Sequence, residues 1–570
     1  MQRPVATPAS HPRRFLPIAA FVAALLASAT AAEAASFWVG NGGSPPCTHA
    51  TLQDAMNAAV SAAGDDFIYL VGPGPFVGPF IGVGGGYEVI GNVAACGSTT
   101  SVGYATVSAS GERPLTLSVP GAQTVRLRHL MVTAQGSHVG DGGAIHFSGA
   151  SPASRLELVD TRLVDSHLAD GIGGGVFVTG GRLTLRDGSL VSGNSANVGG
   201  GISAAGGAIV EIDGASVTGN TAFFDGGGIH VQTGATVAIG SSGPQPTAVS
   251  DNVATRFGGG LYLADEGDNR ISSSPGMPPV AVHGNQAQRG GGLYVNGSFL
   301  RLDYATVDHN HATLEGGGFY FIADGTMVAS SADEPEPTRG GYPRIEGNTA
   351  PEAAVMHVDD GAVVLAAGRI RDHHAGAGSD GLVRLLSGIL FLHGVGFDSN
   401  EGPALFSILD ATMLQLEHAS FAGNNVGGFV RWRGNTSEVI LTASALDETE
   451  PLFLSFQSPS TPPQIACVTS RFASPFALVP PGTDLSWVTI ADPQFVAPPA
   501  DLHLRHSSPA IDSCPPNDRF DIDGEPRSLD DPYHPHPEGW TADAGADETN
   551  VIFVDSVEID GLGMWSSVHP

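Results

Sequence analysis

Val191-Ser192-Gly193-Asn194 is followed, four residues on, by Gly199-Gly200-Gly201-Ile202, and the phrase returns as Val217-Thr218-Gly219-Asn220 with Gly226-Gly227-Gly228-Ile229. Each unit has an apolar residue, two variable positions and Asn, then a short spacer, two or three glycines and an apolar-x-apolar run. The Asn recurs as Asn252, Asn285, Asn310, Asn348, Asn400 and Asn424. The residue after the glycines is Ile145, Val176, Ile202, Ile229, Leu261, Leu293 and Phe319, at intervals of 31, 26, 27, 32, 32 and 26. A fixed phrase with spacers of variable length is the mark of a solenoid, in which each repeat is one coil and the variation falls in loops.

Within each period stand short alternating runs such as Leu183-Thr184-Leu185, Val210-Glu211-Ile212, Leu300-Arg301-Leu302 and Leu414-Gln415-Leu416. Alternation over so few residues means short strands with one face inward. Roughly 27 residues holding three such strands is one turn of an all-β, parallel β-helix whose coils stack about 4.8 Å apart. Glycine supplies positive φ at a sharp corner, and Asn is the other residue that tolerates the left-handed region. Asn stacked at one corner would also hydrogen-bond in a ladder. About fourteen coils over residues 101–490 predict a rod roughly 65–70 Å long.

Composition agrees. Of 570 residues 78 are Gly and 40 Pro, yet 42% are hydrophobic and only 14% charged, too apolar for a disordered chain, and no Gly-X-Y register points to collagen. All 25 basic residues are Arg, which excludes a Schiff-base, general-base or P-loop lysine. A formal net charge of −32 argues against nucleic acid or an anionic membrane as a partner.

Arg13-Arg14, the apolar run Phe15 to Leu26 and Ala32-Glu33-Ala34 read as a cleaved secretory signal over residues 1–34. No later run is long enough for a membrane helix, so no integral membrane segment is expected in the mature chain. Residues 35–100 are expected to form an N-terminal cap and first coil. There Leu52, Ala55, Met56, Ala59 and Val60 share one helical face, suited to plug an open solenoid end, and Phe67 to Val71 reads as a first buried strand. Export places the four cysteines in an oxidising space. Three pairings are formally possible, and order along the chain favours Cys47 with Cys96 and Cys467 with Cys514.

The Asn-plus-glycine repeats resemble those of right-handed parallel β-helix proteins of the pectin-lyase-like superfamily, in particular the repeats of polymorphic outer membrane proteins. Residues 491–550 resemble a choice-of-anchor Q domain, through Asp492-Pro493-Gln494-Phe495, Ser508-Pro509-Ala510-Ile511-Asp512, Asp521-Ile522-Asp523-Gly524 and Asp543-Ala544-Gly545-Ala546-Asp547-Glu548. Residues 551–570 are similar to a short C-terminal tail of secreted proteobacterial proteins. The resemblance implies an exported protein, extracellular or on the outer surface of a bacterium. Its implied role is non-catalytic adhesion or surface presentation, with extracellular or cell-wall polysaccharide as the partner. The alternative it implies is a polysaccharide lyase or glycoside hydrolase.

The candidate catalytic residues are Asp359 and Asp360, the nearest approach to the paired Asp of a polygalacturonase-like site, and Arg371 and Asp372 in the cluster Arg369 to His374, the nearest approach to the arginine base of a lyase. Loop acids on a glycine corner are the competing reading. Asp518, Asp521 and Asp523 have the oxygen-rich spacing of a Ca²⁺ loop but lack the bidentate Glu of an EF-hand, so a β-turn with Asx hydrogen bonds is the favoured reading and Ca²⁺ the alternative. The residue after each post-glycine apolar position should point outward. This stripe contains His230, Tyr262, Tyr294 and Tyr320, expected as exposed aromatics in register that stack sugar rings or, alternatively, each other.

Overall fold

The computed structural model describes residues 34–40, 47–515 except 63, 275, 330–341, 410–411, 458, 506 and 512, and residues 542–545. The chain winds into a right-handed parallel β-solenoid of about 15 turns. At roughly 4.8 Å per turn the rod is about 70 Å long. One coil shows the plan: Ile202–Ala205 lies in a first sheet, A, Ile209–Asp213 in B, Ser216–Thr218 in C, and Thr221–Ala222 in a narrow fourth, D. Sheets A to C merge at their corners into one 41-stranded sheet, and D is an 11-stranded strip.

The expected register is observed. Ile145 pairs with Val176, then Ile202, Ile229, Leu261, Leu293 and Phe319 follow in line, and the column continues through Met356, Val383, Phe406, Val430 and Phe453. These side chains are buried in one continuous core with Leu183, Val210, Val217, Leu300 and their equivalents from sheets B and C. A core this narrow has no room for a polar side chain without partners, so the corner between C and D becomes the critical place.

There the ladder forms. Ser166, Asn194, Asn220, Asn252, Asn285, Asn310, Asn348, His373, Asn400, Asn424 and Glu448 occupy the same corner of successive coils, all buried. Where one Asn follows another, its Oδ1 accepts from the Nδ2 amide and the backbone N–H of the preceding Asn, at 3.0 and 3.0 Å for Asn220 on Asn252, while Asn194 and Asn400 accept the backbone N–H of Ser166 and His373. The second Nδ2 proton goes to a carbonyl of the previous coil, as from Asn252 to Val217 at 3.0 Å. The left-handed residue is the one before the Asn, not the Asn itself: Gly193 (φ 68°), Gly219 (65°), Asp251 (55°) and His309 (52°) hold it.

The glycines explain the other half of the phrase. Gly199 turns the corner at φ 61°. A Cβ on Gly201 would lie 2.8 Å from the Gly228 carbonyl and 3.0 Å from Asn220 Nδ2, so that position is held open for the ladder amide.

The helix Leu52–Ser61 caps the N-terminal end. Thr51 Oγ1 accepts from the Asp54 N–H at 3.1 Å, and Leu52, Ala55, Met56 and Ala59 are buried on the first coils. Val60, expected on that face, is 37% exposed at its rim. At the other end Phe476, on the short 3-10 turn Ser474–Phe476, closes the core. The cysteines pair as expected, Cys47 with Cys96 and Cys467 with Cys514. The described residues beyond 490 do not extend the rod. They fold back along the outer face of sheet C, where Phe495, Leu502, Leu504, Ile511 and Cys514 pack on Ala422, Ala443 and Ala445. Small residues make that face flat: Leu502 Cδ1 comes so near Gly396 that a Cβ there would meet it at 3.0 Å.

Three ladder rungs are not Asn, namely Ser166, His373 and Glu448, and the last two titrate. His373 accepts from the Asn348 N–H on Nδ1 (3.1 Å) and donates from Nε2 to the Ile345 carbonyl (2.9 Å), the bonds of a neutral Nε2–H ring. Burial lowers its pKa from 6.5 to about 4. Glu448 closes the ladder by accepting from Asn424 Nδ2 at 2.8 Å, and burial raises its pKa from 4.5 to about 7. The signs are opposite. A proton enters the unfolded His373 but not the folded one, so its contribution is lost as pH falls from 6.5 towards 4; Glu448 stabilises fully below 4.5 and loses that as pH rises through 7.

His373→Asn is expected to raise stability by about 2 kcal/mol at pH 4.5 with little change at pH 7.5, and Glu448→Gln by a similar amount at pH 8 with little at pH 4.5. Urea denaturation at the stated pH values measures both. Asn252→Ala, which strands the Asn220 N–H and the Val217 carbonyl, is expected to cost about 3 kcal/mol at any pH in the same experiment.

Candidate functional site

The outward column of sheet A runs, in register, His146, Phe177, Ser203, His230, Tyr262, Tyr294, Tyr320, His357, Arg384, Ser407 and Arg431. Alternation places them opposite the core, as expected. Their exposure differs from expectation: Tyr294 and Tyr320 are 6% exposed, His230 4% and His357 1%, and Tyr262 is half-buried.

The rings cover each other. His230 stacks on Tyr262 at 4.8 Å, Tyr262 on Tyr294 at 5.3 Å, Tyr294 on Tyr320 at 5.1 Å and Tyr320 on His357 at 4.5 Å, all within 12° of parallel. The loop that leads from sheet D back to A leans over them. Phe257 stacks on Tyr294 at 4.6 Å, and Arg289 reaches over the Tyr320 ring at 6.0 Å. With faces occupied, these tyrosines offer no platform for stacking a sugar; what remains are ring edges.

An ion-pair chain runs beside the column. Glu315 takes Arg289 at 2.9 Å and Arg384 at 3.3 Å, and Asp380 takes Arg431 at 3.1 Å and Arg433 at 2.6 Å. Burial pushes the Tyr320 phenol up to about 12 and lowers the pKa of His230 and His357 to about 4, so both imidazoles are neutral. Several buried polar atoms of the column have no protein partner: Ser203 Oγ, His230 Nδ1, both nitrogens of His357 and Ser407 Oγ. Pattern reading overlooked His357, Arg384 and Ser407, since the glycines that mark the column give way to Ala353-Ala354 and Gly381-Leu382 before them.

The four catalytic candidates are not brought together. Asp359 and Asp360 sit at the corner between A and B, Asp360 with φ 65°. Arg371 and Asp372 end a sheet C strand and pair with each other at 2.8 Å. Their neighbourhood is a clamp: the buried Asp398 binds Arg369 at 2.6 Å and Arg371 at 3.5 Å, and Arg369 Nη2 donates to the Pro499 and Ala500 carbonyls at 2.6 and 3.0 Å. That arginine cluster fixes the C-terminal segment to the rod. Asp518, Asp521 and Asp523 lie outside the described residues. A recess of about 380 Å³ between the cap helix and Pro73 to Phe80 is lined by no titratable side chain.

No known protein family, curated protein or solved structure matches this chain. No helix among the described residues is long and apolar enough to cross a membrane.

Tyr294→Ser removes a ring held between two others and under Phe257, so it is expected to cost about 3 kcal/mol of stability. Thermal denaturation beside the wild type checks this; an unchanged melting temperature would mean the rings are not packed as described.

Proposed function

We propose that the protein is an exported, surface-displayed or released β-solenoid that holds a polysaccharide non-catalytically along the outer face of sheet A. The observation that carries this reading is the file of buried, partnerless polar atoms on that face, from Ser203 and His230 through His357 to Ser407. Buried polar groups are nearly always hydrogen-bonded, so such a file leaves unmet bonding capacity that a polar ligand would complete by displacing the side chains that cover it. A polyhydroxylated chain supplies donors and acceptors along its whole length, and so can meet groups set one coil (Ser203 to His230), four coils (His230 to His357) and two coils (His357 to Ser407) apart, at about 4.8 Å per coil. Recognition here goes by hydrogen bonds at ring edges, because the ring faces are taken.

The two disulfides suit an oxidising compartment, as export requires. The likeness of the repeats to pectin-lyase-like and polymorphic outer membrane protein repeats, and of the last segment to a choice-of-anchor Q domain, supports the same assignment.

His357→Phe keeps the stack on Tyr320 and deletes both partnerless nitrogens. On an array of neutral and acidic glycans, the wild type is expected to retain at least one class without generating new reducing ends. The variant is expected to bind that class about tenfold more weakly, the loss of about 1.4 kcal/mol, with an equal or higher melting temperature. Retention by neither protein would overturn the reading, as would new reducing ends released by the wild type.

A further inference from the structure

Away from that face, on the outer side of sheet C, His283 and Asp308 face each other across adjacent coils and His309 follows Asp308 at the corner. The two imidazoles converge on one atom. His283 Nδ1 lies 2.7 Å and His309 Nδ1 2.9 Å from Asp308 Oδ2, and one ligand atom from each of the three residues falls within 4.8 Å of the others. The ring centroids are 5.4 Å apart.

We propose that His283, Asp308 and His309 bind one divalent transition-metal ion of the zinc class, clipping two neighbouring coils together. Two imidazole nitrogens and one carboxylate oxygen are the ligand types of a borderline cation, and a three-residue set leaves the fourth tetrahedral position for water. Tetrahedral zinc with bonds of about 2.0–2.1 Å needs donor atoms roughly 3.3 Å apart, so the observed 2.7 and 2.9 Å separations need open by only a few tenths of an ångström. Without metal each Nδ1 donates to Asp308; with metal each Nδ1 presents its lone pair and Nε2 carries the hydrogen. The rings permit that exchange, since the His283 and His309 side chains are 45% and 65% exposed and solvent reaches them.

The backbone holds the donors in place. His283 and Asp308 are locked in strand register, and the His309 N–H bonds the Glu346 carbonyl at 3.0 Å with φ of 52°. Gly347 lies against the His309 ring, where a Cβ would come 3.1 Å from Nε2. The in-register neighbours of the trio are Ser250 before His283 and Glu346 after Asp308, and among the described residues no arginine forms an ion pair with the Asp308 carboxylate. A carboxylate cluster alone would favour calcium or magnesium; the two imidazoles shift preference to zinc.

The test is isothermal titration of the untagged, full-length protein with Zn²⁺ in 10 mM Ca²⁺, which occupies the diffuse acidic surface. One equivalent is expected to bind in the micromolar range or tighter. His283→Ala and His309→Ala should each weaken it at least tenfold, and Asp308→Asn similarly, while His167→Ala, on sheet D, should leave it unchanged. Co²⁺ as a probe should give the visible absorption of a low-coordinate nitrogen and oxygen site, lost in His283→Ala. Circular dichroism confirms that each variant is folded, and if an alanine variant is not, His283→Gln serves in its place. Absence of stoichiometric binding at 1 mM Zn²⁺, or binding that survives the His283→Ala/His309→Ala double substitution, would overturn the proposal.

Discussion

Everything in this molecule hangs on one hydrogen-bonded file, the amide ladder at the corner between sheets C and D. A parallel solenoid must turn its backbone sharply several times per coil, and each turn takes peptide groups out of the sheet ladders that would otherwise satisfy them. At this corner an Asn side chain replaces the missing partners. Its oxygen takes the N–H of the coil before it, and its amide gives one proton onward and one back to a carbonyl. Each rung therefore depends on its neighbours, and coil number can grow while spacer length varies freely between 24 and 38 residues.

The same dependence explains why so much of the fold was legible. Asn and the glycines are constrained by the ladder at both ends of one corner: Asn220 must place Nδ2 where Gly201 has no Cβ. That coupling leaves a phrase in the chain, and the phrase sets the register of every strand between. The readable signal fades where other residues do the same work. His373 makes the backbone contacts of an Asn with ring nitrogens, and Glu448 accepts as an Asn oxygen does. Neither looks like Asn in a string of letters.

The candidate site was legible by direction and not by exposure. Strict alternation puts Tyr262, Tyr294 and Tyr320 on the outside of sheet A, and they are there. Whether an outward side chain meets solvent depends on what the passage from sheet D back to A lays over it, and Phe257, Arg289 and Glu315 stand there in register on successive coils without a repeated residue type to mark them. The arginine cluster at Arg369 has partners that lie far off in the chain. The carbonyls of Pro499 and Ala500 that Arg369 binds are 130 and 131 residues away, so a local reading of the cluster had no access to the clamp.

The ladder also has a direction, and direction decides how it can end. Every rung before the last sends its backbone N–H to the side chain of the next rung towards the C-terminus, so the last rung has only to accept. Glu448 does so with a single oxygen, Oε1, which takes both the Asn424 N–H and its Nδ2–H. An ionised carboxylate would accept those protons more strongly, but the site is buried and Asp447 and Glu450 stand nearby, so burial and like charge hold the proton on near neutrality. The terminus thus has an acceptor whose charge can change while its two hydrogen bonds remain, and the cost of charging it falls on the last coils alone. In a rod whose coils touch only their neighbours, loosening begins where a rung has one neighbour instead of two. Glu448 stands at that end, beside the coil that Cys467 and Cys514 staple to the returning C-terminal segment.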